Sequence, residues 1–98
     1  MTIDKNKDGT SLTLALEGRL DTMTAPELEG VLKEELDGVE ALTFNFSGLD
    51  YISSAGLRVL LSAQKRMNAQ GTMKVSGVNE IITEIFDVTG FTDILTFE

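Results

Sequence analysis

Leu12, Leu14 and Leu16 alternate with Thr13 and Ala15, and Leu42, Phe44 and Phe46 alternate with Thr43 and Asn45. A two-residue period puts every other side chain on one face of an extended chain, so both stretches are predicted strands. Lys7-Asp8-Gly9-Thr10 supplies a turn ahead of the first, which makes Thr2 to Gly18 a hairpin. Between the two strands the period changes. Leu28, Val31, Leu32 and Leu36 recur at helical spacing and give a helix one apolar face. Thr24-Ala25-Pro26-Glu27 opens that helix: Thr24 is the expected cap, Pro26 suits a first turn, and Glu27 completes a capping box.

After Phe46 the polar pair Ser47-Gly48 is expected to turn the chain before Leu49-Asp50-Tyr51-Ile52. A second helix starts close to Ser53-Ser54, with Leu57, Leu60, Leu61 and Met67 on its apolar face, Gln64, Lys65, Arg66 and Gln70 elsewhere, and Gly71 as its stop. Thr72 to Ser76 reads as a short strand. Asn79 caps a third helix carrying Ile81, Ile82, Ile85 and Phe86, Gly90 ends it, and Ile94, Leu95 and Phe97 make a last strand. This order predicts an α/β fold with right-handed crossovers and a mixed, mainly parallel sheet of about four to five strands. Strands covered on both faces usually read as continuous apolar runs, so the alternation places the helices mainly on one face. No linker, repeat or low-complexity segment interrupts the pattern, and residues 1–98 are expected to form a single domain.

Composition narrows the classes of function. Apolar residues are 42% and charged residues 24% of the chain, which is ordinary globular usage. Sixteen acidic against eight basic residues give a formal charge of −8, which opposes binding to nucleic acid or to anionic membrane surfaces and favours a partner protein with a basic patch. Cysteine and histidine are both missing, so there is no disulfide framework, no thiolate ligand, and neither the commonest metal ligand nor the commonest general base. No metal or cofactor is expected. Charges at the start of the chain stand where a signal peptide needs an apolar run, and no stretch reaches the roughly 20 apolar residues of a membrane span. The expectation is a soluble cytoplasmic protein.

One segment is not explained by core and turns: Leu49-Asp50-Tyr51-Ile52-Ser53-Ser54-Ala55-Gly56-Leu57, at a junction from strand to helix. Such junctions in open α/β sheets are where ligands usually bind. The small residues Ser53, Ser54, Ala55 and Gly56 leave the helix N-terminus open to close approach by another molecule. Either serine can serve simply as an N-cap. A phosphate added there instead brings about −1.5 to −2 charges and three acceptor oxygens to a place whose dipole and free N–H groups tolerate anions. Arg58, four residues after Ser54, stands within reach of such a phosphate or else is a solvated surface arginine. A partner packed over the same surface has no such provision for charge.

At this segment the chain resembles the STAS domain family, and within it the stand-alone bacterial anti-sigma factor antagonists. Asp50-Tyr51-Ile52-Ser53-Ser54-Ala55-Gly56-Leu57 is similar to the family signature, an aromatic and an aliphatic residue followed by Asp-Ser-Ser/Thr/Ala-Gly-Leu. Glu17-Gly18-Arg19-Leu20-Asp21 resembles the family's Gly-x-Leu-Asp turn, and Phe86-Asp87-Val88-Thr89-Gly90-Phe91 its closing helix and Gly-aromatic end. The resemblance covers the whole chain and puts Ser54 at the position of the phosphorylated serine. It implies a partner-switching cycle, in which the unphosphorylated antagonist captures an anti-sigma factor that is also a serine kinase, and a sigma factor is released. The kinase then phosphorylates the serine, the antagonist lets go, and a PP2C-type phosphatase restores it. Asp21, Thr22, Ser53, Ser54, Ala55, Gly56, Leu57 and Arg58 are the partner-facing positions so implied, on a monomer or weak dimer. One departure stands out: where the family often has aspartate before the switch serine, this chain has Ser53, which makes Ser53 the fallback site of modification.

Two other classes remain to be weighed. STAS-like domains also occur as regulatory or assembly components of transporters and sensory complexes, where the serine need not be phosphorylated. An enzyme with Ser54 as nucleophile is disfavoured, because no Gly-x-Ser-x-Gly elbow surrounds it and no histidine exists to activate it. No phosphate-cradling Gly-x-x-x-x-Gly-Lys-Ser/Thr loop is present either, so the ATP of the cycle belongs to the partner.

Overall fold

The computed structural model describes residues 1–98. Strands β1 (Thr2–Asp8) and β2 (Ser11–Leu20) form the antiparallel hairpin. Helix α1 (Ala25–Glu35) crosses to β3 (Ala41–Ile52), helix α2 (Ser54–Gln70) crosses to β4 (Thr72–Ser76), and helix α3 (Glu80–Thr89) follows. The sheet runs in chain order, β1-β2-β3-β4, with β2, β3 and β4 parallel. Leu12, Leu14, Leu16, Leu42, Phe44 and Phe46 are all buried, while Thr13, Ala15, Thr43 and Asn45 between them are only partly covered. All three helices contribute to one cluster of 24 buried apolar residues with these strands. The helices therefore cover a single face, as the alternation predicts, and the other face of the sheet stays polar.

Four local expectations are corrected. Ser47 and Gly48 do not turn the chain; β3 runs through them, and its register against β2 slips between Ala15 and Glu17 and again between Gly18 and Arg19. Each slip places one extra residue in β3, a β-bulge, and the inward positions accordingly move from every second residue (Leu42, Phe44, Phe46) to every third (Leu49, Ile52). The Asn45 side chain accepts hydrogen bonds from the Ser47 N–H at 3.0 Å and its hydroxyl at 2.6 Å, so the local turn chemistry is spent on a bulge.

The expected last strand reduces to one parallel bridge between Val75 and Phe97 after a short 3-10 turn, Phe91–Asp93. Ile81 lies outside the core, 59% exposed, and α3 buries Ile82 and Phe86 instead. Gln64, expected away from the apolar face, is only 8% exposed and donates to Asn68 at 2.8 Å. Asn79 caps α3 as predicted: its side chain accepts the Ile82 N–H at 2.8 Å, and its amide donates to the Leu49 carbonyl at 2.9 Å. That second bond ties the start of α3 to the end of β3.

Candidate functional site

β2 and β3 are parallel neighbours, so their C-terminal ends emerge on the same edge of the sheet, and with them the two segments singled out in the sequence. Leu20 pairs with Ile52, and the Ser53 N–H donates to the Leu20 carbonyl at 2.9 Å. The Gly18–Asp21 segment and the start of α2, more than thirty residues apart in the chain, are thereby held side by side.

Gly56 fixes how closely. It is buried in the first turn of α2, and a Cβ on it would fall 2.7 Å from Leu20 Cγ and 2.8 Å from Ile52 Cγ1. Its smallness serves the packing of α2 against the end of β2 rather than the approach of a partner. Leu57 is likewise buried, so of the partner-facing positions inferred from sequence these two point inward. Thr22, Ser54 and Arg58 are exposed, and Asp21, Ser53 and Ala55 are partly covered.

The two adjacent serines differ. Ser53 occupies the N-cap position with extended backbone, yet its hydroxyl makes no cap bond; Ser53 Oγ is buried and has no hydrogen-bond partner. Ser54 is the first helical residue and is exposed. The N–H groups of a first helical turn have no carbonyl partner within the helix, and no acidic side chain stands in this turn to occupy them. An anion on Ser54 would meet the positive end of the helix dipole without a competitor. Arg58 makes none of the chain's ion pairs.

The loop beside Ser54 is ordered by Asp21 and not by the expected Thr24–Glu27 capping box. The Asp21 carboxylate accepts the N–H groups of Met23 at 3.0 Å and Thr24 at 3.2 Å, while the Thr24 hydroxyl donates to the Arg19 carbonyl at 2.8 Å and accepts the Asp21 N–H at 2.8 Å. The acid three residues earlier takes the free amides, and Thr24 is used to close the loop on β2. Arg19 lies 3.7 Å from the Asp21 carboxylate and 4.5 Å over the Tyr51 ring, a charge and cation–π pair across the ends of β2 and β3. Met23, at 87% the most exposed large apolar side chain, projects from this loop. Sequence reasoning gave no role to Arg19, Tyr51 or Met23; the first two were legible only as members of the quoted motifs.

Partial desolvation works to raise the Asp21 pKa, but it is outweighed by the hydrogen bonds from Thr24 and Met23 and by the Arg19 charge, and the carboxyl titrates below the usual aspartate range. A carboxylate whose folded pKa is depressed contributes stability above its unfolded pKa, and that contribution is lost as pH falls through the folded value. Asp21→Asn keeps an oxygen that accepts the two N–H bonds and removes the titration. Melting temperatures followed downward from the ordinary aspartate range should therefore fall less steeply for Asp21→Asn than for the wild type; parallel curves would show that Asp21 is not responsible.

No helix is long and apolar enough to cross a membrane. No cluster of acidic side chains is placed to hold a metal ion.

The C-terminal edge of the sheet thus presents Ser54, exposed at the N-terminus of α2, beside the exposed Thr22 and Arg58. The chain belongs to the STAS domain family, whose model matches residues 2–98. It is 35% identical over 96 residues to BtrV of Bordetella bronchiseptica, a protein assigned as an anti-sigma factor antagonist, covering 96% of this chain and 81% of the relative. It is 34% identical over 80 residues to the anti-sigma-B factor antagonist of Staphylococcus epidermidis, covering 80% of this chain and 74% of the relative. The fold is also that of the Bacillus cell fate determinant SpoIIAA. The TM-score is 0.78 against its unphosphorylated form, with 14% identity over 99% of this chain and 87% of that one. Against the phosphorylated form it is 0.77, with 15% identity over 99% and 91%.

Proposed function

We propose that this chain is an anti-sigma factor antagonist whose unphosphorylated form captures an anti-sigma factor through the surface around Ser54 and so frees a sigma factor. The partner is a serine kinase that uses ATP to phosphorylate Ser54; phosphorylation ends the capture, and a PP2C-type phosphatase restores it. The cycle runs in the cytoplasm, where sigma factors act, and the antagonist contributes binding and not catalysis. The relatives named anti-sigma factor antagonist support this reading.

The observation that carries it is the contrast between the exposed Ser54 at the first position of α2 and the buried hydroxyl of Ser53. A kinase must reach the acceptor oxygen, and of the two hydroxyls only that of Ser54 is accessible. Thr22 and Arg58 are exposed on the adjoining surface, Met23 is exposed in the same loop as Thr22, and Asp21 holds that loop in place.

The test is incubation with the anti-sigma factor kinase and ATP, followed by mapping of the phosphate by mass spectrometry. One phosphate on Ser54, lost in Ser54→Ala and removed by a PP2C-type phosphatase, is the expected result. Phosphate on Ser53, on some other residue, or nowhere would overturn the assignment.

A further inference from the structure

Helices α1 and α2 do not close against each other along their whole length. A groove of about 420 Å³ lies between them, beginning at Thr22 and Ala55 beside the Ser54 surface. Its floor is apolar, with Leu32 from α1 and Leu36 at its C-terminal cap facing Val59 and Ala63 from α2. Its rim is not what the overall charge suggests. In a chain with a net charge of −8, three of the eight basic residues, Lys33, Arg58 and Arg66, line this groove; Lys33 pairs with Glu29 at 3.5 Å, the one acid in the lining, and Arg58 has no ion-pair partner.

The placement of the cations identifies the shape of what they fit. Arg58, Ser62 and Arg66 follow at four-residue intervals on one face of α2, so the two guanidinium groups spring from points about 12 Å apart along the helix axis. A compact phosphate reaches one of them at a time. An extended peptide advances about 3.3 Å per residue, so two acidic side chains roughly four residues apart match both, with an apolar side chain between them directed at the floor. Arg66 is held in position by Asp37 at 2.8 Å, and a guanidinium has further N–H donors to offer a second carboxylate.

We infer that this groove seats a short, acidic, extended segment of the captured partner, running from the Ser54 surface past Arg58 to Arg66. The inference rests on the capture proposed above and adds a second contact to it, remote from the phosphate. The far end of the groove is therefore insensitive to the state of Ser54, and sets which anti-sigma factor is recognised rather than whether it is held.

A fluorescein-labelled Glu-Leu-Glu-Leu-Glu peptide serves as the probe, with the full chain titrated at low and moderate salt and amide shifts followed by NMR. Binding should move Val59, Ser62, Ala63 and Arg66 and weaken with salt. Arg66→Glu, and independently Lys33→Glu on the opposite wall, should each weaken it about tenfold without lowering the melting temperature appreciably. Ser54→Asp should leave the shifts at the Arg66 end in place. The inference is overturned if the peptide moves none of these residues, if both charge reversals leave binding unchanged, or if ATP alone produces the same shifts and displaces the peptide, which would make the groove a small-anion site. Loss of partner capture in Ser54→Asp is scored separately, so either idea can fail without the other.

Discussion

Ser54→Asp is expected to lose capture of the anti-sigma factor by at least a hundredfold while melting within a few degrees of the wild type. The two effects separate because they depend on different surroundings. In the free protein the new carboxylate stands exposed at the first residue of α2, near unpaired N–H groups and the positive end of the helix dipole, where an acid stabilises by about 0.3–1 kcal/mol. In the proposed complex the partner would cover the same charge, and an uncompensated buried charge costs about 3–5 kcal/mol. At about 1.4 kcal/mol per factor of ten, that suffices to release the partner. Ser54→Ala, which cannot be modified, should bind in the presence or absence of ATP. Calorimetry with the anti-sigma factor and thermal melts of the three forms check both halves; tight binding by Ser54→Asp would remove Ser54 from the role of switch.

Gly71→Ala is expected to produce the largest loss of stability among single methyl additions. Gly71 ends α2, with its N–H donating to the Met67 carbonyl at 2.6 Å, and the next residue, Thr72, donates to the Glu40 carbonyl at 2.9 Å to begin β4. The chain passes so near the entrance to β3 that a Cβ would collide with the Glu40 carbonyl group. The obstacle is backbone and cannot rotate aside, so either α2 or the first pair of the β3–β4 ladder must move. Overpacking of this kind costs about 3 kcal/mol, a large part of the 5–15 kcal/mol that holds such a domain together, and should lower the melting temperature by about 15 °C. Gly30→Ala is the matched control. That glycine lies in the exposed middle of α1 with nothing within 4 Å of the added methyl group, and alanine there should stabilise by about 0.5–1 kcal/mol. If Gly71→Ala melts like the control, the close approach is not as tight as described.

Much of the fold was legible because its signals are local. Period-two alternation marks β2 and the first half of β3, helical spacing marks α1 and α2, and Asn79 was readable as a cap because a cap acts within three residues of itself. The errors share one cause. Ser47-Gly48 has the composition of a turn, but whether it turns or bulges is decided by the register of β2 alongside it. Phe97 has the residue type of a strand, but only one bridge to Val75 is available to it. Asp21 takes the Thr24 N–H that the Glu27 side chain would need for a capping box, and the carbonyl of Arg19, supplied by β2, draws the Thr24 hydroxyl away from the start of α1.

The candidate site divides the same way. The signature around Ser54, the acidic composition, the lack of histidine and cysteine, and the side of the sheet that the helices cover all follow from the order of residues alone, since each depends on residue type or on spacing within one element. Which of two neighbouring serines has its hydroxyl exposed does not. Ser53 and Ser54 are chemically identical, and they become different when the carbonyl of Leu20, more than thirty residues away, takes the Ser53 N–H and turns its hydroxyl inward. The basic groove is likewise absent from any one segment. Lys33 and Arg66 line it together because α1 and α2 lie side by side on the same face of the sheet, and nearness across that face is a property of the folded chain and of no stretch within it.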